Sequence, residues 1–128
     1  MKIVLVHGFN VKDGGKNTVD RLAPYLEEYG HKVDKDEADY GFFSLWMVRL
    51  KKHHAILRIV DAMRNADAVI AHSNGANYVI KSLKFITDNK VKVVFLSPAA
   101  NRNAKFAESA SRVHVYFTKT DFWVWVSG

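Results

Sequence analysis

The 128-residue chain contains no cysteine. Disulfides, thiolate metal sites and cysteine nucleophiles are thereby excluded. No apolar run approaches the roughly 20 residues needed to cross a bilayer as a helix. The apolar run at residues 3–6 is also too short for the core of a secretory signal, and a polar stretch follows it. A soluble, cytoplasmic protein is the expectation. The chain has only two prolines, Pro24 and Pro98, and shows no internal repeat, low-complexity tract or linker. Phosphate-binding loops are lacking too. Gly14-Gly15-Lys16-Asn17-Thr18 imitates the end of one, but the upstream glycine is missing and Asn10 stands in its place. There is no dinucleotide fingerprint.

What is present suits a packed core. Hydrophobic residues make up 48% of the chain and charged residues 25%, which argues against disorder. The length fits one domain over residues 1–128. The formal charge of +6 favours anionic surfaces. No recognition motif accompanies it, so a nucleic-acid partner is not expected.

Four short apolar runs, at residues 2–6, 67–71, 91–96 and 113–117, read as buried strands of a parallel sheet. A charged, weakly alternating stretch at 31–38 reads as an edge strand, where charge resists pairing with other chains. Helical spacing appears at Val19, Leu22, Ala23 and Leu26, with Asn17 or Thr18 as a cap and Gly30 as a stop. Pro24 predicts a kink or a later start for this helix. Further helices are predicted over 45–65, 76–85 and 103–110. Strands and helices therefore alternate. The expected fold class is α/β: a mostly parallel five-stranded sheet flanked by helices.

The most informative stretch is Val69-Ile70-Ala71-His72-Ser73-Asn74-Gly75-Ala76. An apolar strand runs into a serine, and the serine runs straight into a helix. Such a turn forces the residues two before and two after the serine close together, so they must be small. Ala71 and Gly75 meet that demand. Upstream, the first strand ends in His7-Gly8-Phe9. Together, Val-His-Gly-Phe and Ala-His-Ser-Asn-Gly resemble the α/β-hydrolase superfamily, in particular its small lipase- and esterase-like members. The resemblance runs from Met1 to about Asp121. Ala71 departs mildly from the family's usual Gly-x-Ser-x-Gly.

The resemblance implies an α/β-hydrolase core in which Ser73 attacks an acyl carbonyl. It also implies an oxyanion hole made by the backbone N–H groups of Phe9 and Asn74. Asp121, after the last predicted strand, takes the place of the acid that orients a catalytic histidine. No metal or organic cofactor is required, and the substrate is a small molecule with an ester, thioester or related acyl bond. Phe42 and Trp46 lie in an aromatic cluster that reads either as core packing or as an apolar wall of the substrate pocket.

The family's histidine follows its acid in the chain, but only Phe122-Trp123-Val124-Trp125-Val126-Ser127-Gly128 come after Asp121. Three explanations stay open. The chain is the front part of a longer protein, or another chain supplies the base, or the fold persists as a catalytically inactive binding or regulatory module. The apolar tail at 122–126 predicts a partner or a second copy that covers it. Other constellations are weaker. His53 and His54 point apart on a helix, and Asp34, Asp36, Glu37 and Asp39 lack calcium-loop spacing.

Overall fold

The computed structural model describes residues 1–8, 19–35, 45–87, 90–98, 105–106 and 110–117, with the side chains of 45–52 excepted. Five strands form one sheet: β1 (Lys2–Val6), β2 (Lys32–Lys35), β3 (Ala68–His72), β4 (Val91–Leu96) and β5 (Ala110–Tyr116). Their order is β2-β1-β3-β4-β5, and every pairing is parallel. Among the described residues three α-helices accompany them: α1 (Ala23–Glu28), α2 (Leu45–Arg64) and α3 (Gly75–Leu83).

The sheet is covered on both faces because side chains alternate along each strand. Val4 and Val6 of β1, Val69 and Ala71 of β3, and Val91, Val93 and Phe95 of β4 face one core. Onto that core α2 sets Ala55, Ile59, Val60 and Met63, and α3 sets Ala76, Val79, Ile80 and Leu83. The α3 positions recur at three- and four-residue steps, which gather them on one stripe. Ser82 lets the two helices approach closely. Its Oγ lies 2.7 Å from the Tyr78 carbonyl and 3.4 Å from that of Ile56. On the opposite face Ile3 and Leu5 meet Val19 and Ala23, with Leu22 and Leu26 packed alongside. A parallel crossover is right-handed, so reversing the strand order between β1 and β3 sends α1 to one face and α2 and α3 to the other.

The helix around Pro24 starts late, as proline allows. A 3-10 turn at Val19–Leu22 precedes it, and Pro24 falls in the first turn of α1. There its missing N–H costs no helical hydrogen bond. Gly30 follows with φ of 84°, the left-handed conformation that ends a helix. The edge strand expected over 31–38 is described as β2 at Lys32–Lys35, with 36–38 outside the described residues; it lies at the sheet edge, and Asp34 there pairs with Lys2 Nζ at 3.1 Å.

Two expectations need correction. The predicted helix over 103–110 does not reach Ala110, which instead begins β5. Backbone pairing of residue 110 with Val91 prevails over local helix propensity. The expected buried strand at 113–117 is also not buried. β5 forms the other sheet edge, and Val115, Tyr116 and Phe117 are exposed. No helix among the described residues is long and apolar enough to cross a membrane.

Candidate active site

In an open parallel sheet, ligands gather beyond the carboxyl ends of the strands where strand order reverses. Here that point lies between β1 and β3. His7 and Gly8 follow β1, and Ser73 follows β3.

Ser73 has φ of 52°, a left-handed backbone that few non-glycine residues adopt. The conformation costs about 1–2 kcal/mol, and persists only where the surroundings enforce it. The surroundings here are visible. The Ser73 N–H donates to the Leu96 carbonyl at 3.1 Å, and the Ser73 carbonyl accepts from Ala76 N–H at 3.2 Å. Strand pairing thus holds the residue from one side while the first turn of α3 holds it from the other.

Two glycines make the turn fit. A Cβ on Gly75 would lie 2.6 Å from the His7 carbonyl oxygen and 2.9 Å from that of Val6. A Cβ on Gly8 would lie 2.8 Å from Ser73 Cβ and 3.3 Å from its Oγ. The end of β1 therefore packs directly on the serine, and the start of α3 packs directly on the end of β1. Ala71, completely buried, accepts the small-residue demand on the strand side.

His7 is completely buried, and its Nδ1 stands 2.9 Å from the Gly8 carbonyl. Only a protonated Nδ1 can donate that bond, so the ring stiffens the turn beside Ser73. Asn74 opens α3. Its Oδ1 accepts from Asn77 Nδ2 at 2.8 Å, and its side chain also hydrogen-bonds Tyr78. Burial pushes the Tyr78 phenol up from its ordinary value, with the Asn74 contact acting in the opposite direction. Asn74 is thus held by two residues of α3, directly after Ser73.

The structure brings Ser73 and Asn74 together with His7 and Gly8. Phe9, Phe42 and Asp121 lie outside the described residues. Trp46 lies in the first turn of α2, with its side chain outside the description. Among the described residues no group of three acidic or histidine side chains is placed to hold a metal ion. In the sequence Gly8 stands out only as part of a motif, whereas the structure packs it directly against Ser73. Ser97 has no part there beyond ending a strand with Pro98. That residue has φ of 45°, is buried, and follows β4 beside the elbow. The usable signal was a second apolar strand ending in serine, immediately before Pro98.

No protein-family model matches this chain, and no curated protein matches it. Among solved structures, a provisionally assigned hydrolase of the alpha/beta superfamily from Xanthomonas campestris pv. campestris is similar. The TM-score is 0.59 at 15% identity, and the match covers 91% of this chain and 70% of that one. The likeness is one of fold: a parallel sheet with flanking helices.

Proposed function

We propose that this chain is a serine hydrolase that cleaves an ester, thioester or related acyl bond through an acyl-enzyme at Ser73. The observation that carries the reading is the left-handed Ser73 at the switch point, interlocked with Gly8 and Gly75. A strained serine on a strand-to-helix turn is the arrangement that exposes an Oγ nucleophile. The same turn sets the Asn74 N–H at the start of α3, where helix-terminal N–H groups favour negative charge. In this reading Asn74 and Phe9 hold the oxyanion by their backbone N–H groups, each worth about 3 kcal/mol in the transition state. Asp121 orients the base, and Phe42 and Trp46 form an apolar wall for the acyl group. The substrate is a small acyl compound, and a cytoplasmic setting suits a chain without cysteine.

A second reading is a binding or regulatory protein that keeps the fold without turnover. What favours it is that His7, the buried histidine at the elbow, engages the Gly8 carbonyl through its Nδ1. A serine with no base is a poor nucleophile at neutral pH. Labelling with a fluorophosphonate probe separates the two. Labelling of the chain that disappears in Ser73→Ala supports the hydrolase. A folded chain that the probe leaves unlabelled, while it still binds acyl compounds, supports the binding protein.

A further inference from the structure

Ser73 is not alone in its backbone conformation. Among the described residues, Ser97 is the other non-glycine residue with positive φ. The two are neighbours in space, because His72 is in register with Leu96 and each serine follows its strand. Residues held in such conformations cluster at functional sites, where the surroundings enforce them.

The peptide unit joining Leu96 to Ser97 explains the pairing. Its carbonyl accepts the Ser73 N–H at 3.1 Å, and its N–H donates to the Tyr116 carbonyl at 2.7 Å. A trans peptide points these two groups in opposite directions. One rigid unit thus reaches from the elbow on one side to the end of β5 on the other. The torsion immediately after it is the φ of Ser97. A left-handed residue there lets the chain turn towards Pro98 while the peptide stays in the plane of the sheet.

We propose that Ser97 is a positioning residue for the nucleophile: its left-handed backbone fixes the 96–97 peptide, which braces Ser73 against β5. The role belongs to the backbone of Ser97 and not to its hydroxyl. It rests on the reading of Ser73 as the nucleophile, and it adds a part that the elbow sequence does not contain. A β-branched residue resists the left-handed region, whereas glycine enters it freely. Valine at this position would rotate the brace, and glycine would keep it.

The test compares the full chain with Ser97→Val, Ser97→Gly and Ser97→Ala. It has two readouts: the fluorophosphonate labelling rate of Ser73 and hydrogen exchange at the Ser73 amide by NMR, both well below the melting temperature. In Ser97→Val, labelling slows about tenfold and the Ser73 amide exchanges about tenfold faster, while amides in α2 keep their protection. Ser97→Gly and Ser97→Ala label at the rate of the unsubstituted chain. Retained protection in α2 is what a general loss of stability would not produce, and the glycine variant ties the effect to the backbone conformation. Unaltered Ser73 protection and labelling in Ser97→Val overturn the proposal. So does a tenfold loss in Ser97→Gly or Ser97→Ala, and this arm decides the matter if Ser97→Val does not fold. An unsubstituted chain that never labels overturns the hydrolase reading itself and removes the positioning role with it.

Discussion

β1, an apolar run after Lys2, and β5, where valines alternate with Arg112 and His114, end in opposite circumstances. Ile3, Val4, Leu5 and Val6 are at most 3% exposed, whereas Val115 and Tyr116 are 43% and 59% exposed. The apolar, β-branched content of each suffices to make a strand. Burial is decided by what lies on either side. β1 has strands on both edges and helices over both faces, while among the described residues β5 has β4 on one edge only. The difference divides the proposed machinery. The proposed nucleophile follows the interior strand β3, and the proposed acid comes after the edge strand β5 in the chain.

The largest effect should come from breaking the enclosed side. In Gly75→Ala the new Cβ meets two backbone carbonyls of β1, and neither can move without disturbing the sheet. A loss of about 3 kcal/mol or more is expected, read as a lowered urea midpoint together with lost Ser73 labelling. The comparison itself is tested by Phe95→Ala against Val115→Ala. Phe95 is 1% exposed in the core under α2 and α3, and its truncation should cost about 3–5 kcal/mol. Val115→Ala should cost less than about 1 kcal/mol at its exposed edge position. Equal losses would mean that β5 is covered in solution.

A smaller effect of opposite sign is expected at the elbow. Ser73→Gly relieves the left-handed strain and should gain roughly 0.5 kcal/mol while abolishing labelling. Ser111→Gly, in the extended backbone of β5, should instead lose about 0.5 kcal/mol. The smallest effect concerns Tyr78. Its phenol pKa is raised in the folded state, so the unfolded chain gives up that proton first. Stability is then full below the ordinary value of 10.0 and falls as pH rises past it. Urea midpoints from pH 8 upwards should show this decline, and Tyr78→Phe should reduce it.

Much of this was legible in the sequence because both signals are local. Apolar runs flanked by polar loops marked the strands, and β4 was placed to the residue. Ala71-His72-Ser73-Asn74-Gly75 marked the elbow because steric crowding permits few residues there. What could not be read depends on distant partners. Nothing in residues 110–117 says that they form a sheet edge and stay exposed among the described residues. Nothing near Ser97 says that its neighbouring peptide links two other strands. Helix propensity in 103–110 could not foresee that Ala110 would pair with Val91.

The strand order also dictates how the chain must be made. β1 is synthesised first yet lies inside the sheet, and Ile3 waits for Ala68, sixty-five positions later, to complete its pairing. At the pace of translation that interval is roughly 3–13 s. During it the nascent chain offers an apolar strand whose one edge can be satisfied by β2 and whose other edge is open. Faster elongation between these two segments should shorten the period in which a holdase chaperone has something to grip.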